Sequence, residues 1–237
     1  MSTGLTFGGV DIDSAASNIK LVDVAVSGIK RDALARERPI APGAFYVRTH
    51  NGARTVTVTF ALLDKTASTR QTALLALNTW ALSDQPKQLY VPHFSDRYLN
   101  AVCTELPDPS YRQWWESRLR IVFTAYDPYW YEASSHTVAC GTAFTAGGNV
   151  PPRITIGNVF SSAASGVEYK NSDNTQVMHF SYVPAGTLLI DLDAQTAEVG
   201  GSTIMQYYTL GSSFITPVVG TQTIQGTGTV DYRARWA

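Results

Sequence analysis

Charge is scarce in this chain of 237 residues: charged side chains make up 16%, against about 25% in ordinary globular domains. The net charge of −1 removes any global attraction for nucleic acid or an anionic membrane surface. Cysteine is scarcer still. Two residues, Cys103 and Cys140, make neither a disulfide framework nor a metal site, and buried free thiols are the expectation. No apolar run approaches the ~20 residues needed to span a bilayer, so no membrane insertion is expected. The opening Met-Ser-Thr-Gly-Leu-Thr-Phe-Gly-Gly lacks a basic n-region and an apolar h-region, which reads as no signal peptide and as cytoplasmic synthesis.

Catalytic signatures are missing as well. The chain has no Gly-x-Ser-x-Gly elbow, no P-loop and no Gly-x-Gly-x-x-Gly. Its four histidines, His50, His93, His136 and His179, show no ligand spacing among themselves or with the cysteines. The one enzyme-like hint is Asp191 and Asp193, two apart on an expected strand, a pair that could bind a cation or serve glycoside hydrolysis. Ile190 and Leu192 supply the complementary apolar face, so the reading is a polar outer strand face. The expectation is a protein that is not an enzyme, with no catalytic residue, no cofactor and no metal.

What the chain does have is apolar and aromatic: 44% hydrophobic and 11% aromatic residues, with 12 Tyr and 5 Trp. Few charges with many Tyr and Trp fit either a surface committed to partners or a β-sandwich with Ser/Thr outer faces. The organising stretch is 118–132. Leu119, Ile121, Phe123 and Ala125 share one face of a period-two strand, and Arg118, Arg120, Val122, Thr124 and Tyr126 share the other. Pro128 has no N–H for a ladder, so the strand ends at Asp127-Pro128. Tyr129, Trp130 and Tyr131 follow, a cluster that either seals a core edge or packs on a neighbouring subunit.

Upstream, residues 5–26 read as strand, turn, strand. Residues 27–43, with Lys30, Arg31, Asp32, Arg36, Glu37 and Arg38 closing on Pro42-Gly43, read as a long charged loop or an arm between subunits. Asn51-Gly52 signals a hairpin between Tyr46–Arg48 and the alternating Thr55–Phe60. Residues 66–82 take a helical period, with Ala73, Leu74, Leu77, Trp80 and Ala81 on one stripe and Asp84 to Pro86 as the stop. Leu89–Val91 and Tyr98–Thr104 pair around a turn at His93–Asp96.

Downstream, charge thins: residues 1–132 hold 14 Lys/Arg and 13 Asp/Glu, residues 133–237 hold 4 and 6. The turn residues Ser134-Ser135, Gly147-Gly148 and Pro151-Pro152 mark 133–153 as a linker. Short strands then follow at Ile154–Ile156, Val177–Val183, Leu188–Leu192, Met205–Leu210, Thr223–Gln225 and Val230–Trp236, the pattern of an antiparallel sandwich. The domains expected are 1–132, a linker at 133–153, and 154–237. The last strand, 229–236, belongs either to the second domain or back on the first.

In order and spacing these elements resemble the distal tail proteins of long-tailed, siphovirus-type bacteriophages. The resemblance is carried by Thr6-Phe-Gly-Gly9, the charged loop to Pro42-Gly43, Val56–Phe60, a helix ending in Trp80, Asp96-Arg-Tyr98 and Asp127-Pro-Tyr. It implies a mainly β fold with one helix: an N-terminal β-rich ring domain and a C-terminal galectin-like antiparallel β-sandwich. It also implies a homo-hexameric baseplate hub at the tail tip of the virion, assembled in the host bacterial cytoplasm. Such a ring joins the tail tube to baseplate or fibre proteins and leaves a channel that DNA crosses without specific binding. Arg36, Arg38, Pro42, Gly43, Tyr129, Trp130 and Tyr131 are the candidate subunit-interface residues. The alternative is a carbohydrate-binding sandwich module that contacts the host surface, with exposed Tyr and Trp stacking on sugar rings.

Overall fold

The computed structural model describes residues 4–16, 18–37, 44–63, 66–107 and 118–237. The fold is mainly antiparallel β, as the sequence implies. To the one expected helix it adds a single turn at Ile12–Ala15. The chain divides into two compact units, Met1–Trp130 and Tyr131–Ala237.

In the first unit, Arg118–Ala125 lies between Arg54–Leu62 and Phe94–Glu105. Ile19–Val26 continues the sheet beyond Arg54–Leu62, and Lys87–Val91 then Thr6–Phe7 continue it beyond Phe94–Glu105. Alternation decides what is buried. Val56, Val58 and Phe60 face Phe123, Ile121 and Leu119 in register; of these all but Leu119 are fully buried, while Thr55, Thr57 and Thr59 take the other face. Helix Ala67–Ala81 covers the apolar side with its expected stripe, of which Ala73, Leu77, Trp80 and Ala81 are buried. Trp80 meets Phe7, Phe60 and Phe123 edge-on at 5.9, 6.4 and 5.9 Å between ring centroids, a preferred aromatic geometry. Its indole N–H, which a core position would otherwise strand, donates to the Val10 carbonyl at 2.9 Å.

Within the charged segment, Arg31–Glu37 is a strand rather than a loop. Arg31–Glu37 pairs antiparallel with Ala44–Asn51 as a two-stranded sheet of its own, running from Arg31↔Asn51 to Glu37↔Ala44. The hairpin expected across Asn51-Gly52 is therefore wrong. Ala44–Asn51 pairs backward, and Arg54–Leu62 pairs instead with Ile19–Val26 and Arg118–Ala125. The apolar face of Arg54–Leu62 is met instead by Ile121 and Phe123, both fully buried. Gly52 marks the arm's root, where its N–H donates to the Lys30 carbonyl at 2.7 Å.

In the second unit one sheet runs Ser202–Thr203, Thr196–Val199, Gly186–Asp191, Val150–Phe160, Thr229–Trp236, His136–Ala139. Val177–Val183, Ala164–Asn171 and Ile224–Gln225 form a second. Ile154, Ile156, Leu188, Ile190 and Val230 of the first pack with Tyr169, Met178, Phe180 and Val183 of the second in one buried core. This is a two-sheet sandwich.

Residues 133–153 are not a linker: they hold His136–Ala139, Phe144–Ala146 and the start of Val150–Phe160. The misleading residues have structural duties. Gly148, at φ +97°, lies so close to Arg235 that an added Cβ would stand 2.0 Å from the Arg235 carbonyl oxygen. Pro151-Pro152 falls where the register with Thr229–Trp236 shifts, a bulge that spares the N–H groups proline lacks. Within this unit Thr229–Trp236 is paired on both sides, by His136–Ala139 and by Val150–Phe160. The strand expected at Met205–Leu210 is instead a 3-10 turn, Met205–Tyr207, followed by irregular chain. Ala164–Asn171 and Thr196–Val199 are strands that the sequence reading passed over.

Candidate subunit and partner interface

Of the arm residues expected at an interface, Arg36 lies on Arg31–Glu37 opposite Phe45. Arg38, Pro42 and Gly43 lie outside the described residues. The arm's one described large apolar side chain, Leu34, is 52% exposed. At its root, Ser27 and Thr55 clasp each other: Ser27 N–H donates to the Thr55 carbonyl, and Thr55 N–H to the Ser27 hydroxyl, each at 2.8 Å.

The Asp127-Pro-Tyr-Trp-Tyr corner connects to that root. Asn51 Nδ2 donates to the Tyr129 hydroxyl at 2.9 Å, tying the last arm residue to the end of the central strand's corner. Tyr129 stays half-buried. Trp130 and Tyr131 are buried within the chain, at 5% and 2% exposed. Trp130 packs on Phe94 at 4.9 Å, and Tyr131 lies under the Arg235 guanidinium at 5.8 Å. Core sealing has taken these rings, the first of the two roles their position allowed. The aromatic left on the surface is Tyr126, 69% exposed, one residue before the corner.

Sequence reasoning missed Arg54. It begins Arg54–Leu62 and is 5% exposed, with its guanidinium 5.6 Å from the centre of the Trp130 ring. Burial pushes its pKa down, since leaving water disfavours the charged form. An arginine beside a turn has no local signature of burial; only the later aromatic corner creates the site.

The paired carboxylates are structural. Asp191 ends Gly186–Asp191 and Asp193 lies in the following turn, so they do not share a strand face. Asp191 Oδ1 accepts the N–H groups of Asp193 and Ala194 at 2.9 and 3.1 Å, and Oδ2 accepts Arg153 Nη2 at 2.8 Å. Burial pushes this carboxyl upward, but the Arg153 bond and the two backbone donors outweigh it and hold the group below the usual range. Asp193 takes both terminal nitrogens of Arg235, at 2.5 and 3.1 Å, while Arg235 Nε donates to the Pro151 carbonyl at 2.6 Å. Committed to arginine forks, neither carboxylate is placed to polarise a water or a sugar.

Among the described residues no three His, Cys, Asp or Glu side chains converge on a metal site. His136 bonds Glu132 at 3.0 Å and His179 bonds Thr209 at 2.6 Å. Cys103 and Cys140 are free and half-buried rather than fully buried, and burial pushes both thiols up, away from the reactive thiolate. Among the described residues no helix is long and apolar enough to cross a membrane.

Residues 147–236 match a family described as siphovirus-type tail component, C-terminal domain. A search of curated proteins gives no match. Among solved structures, the fold matches the SPP1 Dit protein, described as a paradigm of the hub adsorption apparatus in phages that infect Gram-positive bacteria. The TM-score is 0.74 at 16% identity, with 99% of each chain covered. Chains of the phage P2 baseplate in its activated conformation, with Ca and with Sr, match at TM-scores of 0.50 and 0.52. Their identities are 6% and 8%, over 96% and 95% of this chain and 93% and 92% of theirs. At these identities the likeness is one of fold, and it extends over both units. The resemblance to distal tail proteins thus holds for the fold of the whole chain and for the sequence of its C-terminal region.

Proposed function

We propose that this chain, with the distal-tail fold over its whole length and that family's C-terminal domain over residues 147–236, is a structural hub of a phage tail tip. Copies close into a ring, a hexamer on the resemblance, that joins the tail tube to baseplate or fibre proteins. The ring leaves an axial opening for DNA. The single observation that carries this reading is the 99% mutual coverage with the SPP1 Dit hub protein at a TM-score of 0.74.

Two features support it. The arm is a two-stranded sheet of its own with Leu34 exposed, and two strands alone are marginal in water, so a neighbouring surface would stabilise it. The net charge of −1 suits a channel that DNA passes, since a strongly basic lumen would hold phosphates. The role is scaffolding, with the enzyme-like carboxylates spent on arginines.

Antibody raised against the protein and visualised by gold should label one end of the tail in micrographs of the phage that carries it. Label along the tail shaft, or none on intact particles, would sink the hub reading. The carbohydrate-binding alternative has one observation in its favour. Tyr182 is 40% exposed and sits edge-on to Tyr207 at 5.1 Å, a surface ring on the sandwich that a sugar could stack upon. Retention of the intact protein on host cell-wall material, abolished by Tyr182→Ala, would establish it alongside the hub role.

A further inference from the structure

Arg54 is an anomaly in the first unit. Its Nε is buried and bonded to nothing among the described residues, and no described carboxylate lies within ion-pair distance. One face of the guanidinium is served by the Trp130 ring at 5.6 Å. Beyond Trp130 the contacts continue through Phe94, tilted at 4.9 Å from it and 38% exposed, to Arg97, 5.9 Å from Phe94. A stacked ring offsets part of the cost of taking a cation out of water, but it supplies no acceptor for the N–H groups. A buried charge with no counter-charge is expensive, and such charges are ordinarily paired. The partner most complementary to a planar, ring-backed fork is a planar carboxylate.

The same unit carries the reverse anomaly. Asp23 is exposed on Ile19–Val26, which among the described residues pairs along one side only, with Arg54–Leu62. It makes no ion pair or hydrogen bond among the described residues. A register shift between Leu21 and Asp23 breaks the strand there, so this edge is poorly suited to continuous pairing with another strand and well suited to a side-chain contact. Among the described residues, each copy thus holds a buried cation and an edge carboxylate that have no ion-pair partner. A head-to-tail contact would match one with the other and repeat around a closed ring.

We propose that Arg54, backed by Trp130, is a receptor for a carboxylate of a second copy of this chain, with Asp23 as its donor. The inference rests on the ring reading and names one of the contacts that would build it. It assigns to Arg54 a cost borne by the free subunit and recovered on assembly.

The test uses the intact protein and the variants Arg54→Met, Asp23→Asn and their combination. Methionine keeps an apolar stem against Trp130 and removes the charge. Sedimentation across a range of protein concentrations should show each single variant weakening self-association by about tenfold or more, and the double variant no worse than either, the signature of two groups that act on each other. The melting temperature of the Arg54→Met monomer should be equal to or above that of the unaltered monomer. A separate readout is a melting series in sodium acetate against sodium chloride at matched ionic strength. Acetate should stabilise the unaltered protein and not Arg54→Met. If the chain assembles and both variants assemble equally well, the ring reading stands and the Arg54 receptor is overturned. Additive losses in the double variant overturn Asp23 as donor. A lowered melting temperature of Arg54→Met with association unchanged makes Arg54 a core residue and overturns the proposal. If the unaltered chain never associates while acetate still distinguishes it from Arg54→Met, a carboxylate site exists but its occupant is not a second copy, and the ring reading falls with it.

Discussion

At the residue scale, the side chains most open to functional misreading are the ones the fold has already used. Asp191 and Asp193 have the spacing of a catalytic or cation-binding pair, yet each is the anionic half of an arginine contact. Arg235 should be the more costly to remove. It is 8% exposed and serves Asp193 and the Pro151 carbonyl together, and truncation leaves both without their donor. Because Asp193 is itself about one-third exposed, Arg235→Ala should cost about 2 kcal/mol rather than the larger figure for a fully buried pair. Thermal denaturation should register that as a fall of several degrees, and an unchanged melting point would show that water replaces the guanidinium. Asp191 gives a pH prediction. Its carboxyl is held below its usual range in the folded chain, so its contribution is present above about pH 4 and lost as pH falls through the depressed value. Asp191→Asn should lower stability at pH 6 and flatten the decline as pH falls below about 4. A decline as steep as in the unaltered protein would place the acid sensitivity elsewhere.

At the scale of elements, what the sequence made legible was periodic, and what it hid was contextual. Val56, Val58, Phe60 and the stripe from Ala73 to Ala81 announced a strand and a helix because burial follows their periods. Arg31–Glu37 has no β-branched residue and four charges, so nothing local favours a strand; its extended form comes from pairing with Ala44–Asn51. Gly147-Gly148 and Pro151-Pro152 carry turn chemistry, but here they serve a close backbone approach and a bulge inside a sheet. Gly148→Ala checks this directly. With positive φ and a Cβ placed against the Arg235 carbonyl, it should destabilise the second unit by more than about 2 kcal/mol. A neutral result would return 133–153 to the status of a linker. The arm has its own prediction: Arg36→Ala with Arg38→Ala should weaken self-association more than it lowers the melting temperature, measured by light scattering at graded protein and salt concentration. An unchanged oligomer with a lower melting point would mean that the arm serves its own subunit. Of the candidate interface, the corner at Asp127 was legible as the end of a strand. Tyr126 is exposed on the face its period assigns, but the burial of Trp130 and Tyr131 was one of two open readings, because facing inward or outward at a strand end depends on what packs there.

At the scale of the whole molecule, the low charge content, the aromatic content and the lack of catalytic signatures belong together. The hub role we propose would have the chain hold neighbours and let DNA pass, and neither task calls for a reactive centre. On the proposed role, copies of this chain close into a ring. That closure is tested most directly by electron microscopy of the purified intact protein, with mass measured by light scattering on the same samples over a wide concentration range. The account predicts end-on views of a closed ring with an axial opening, and a discrete mass of six chains favoured as concentration rises. A uniform monomer at every concentration and ionic strength, with no ring in any class of particle, would contradict it.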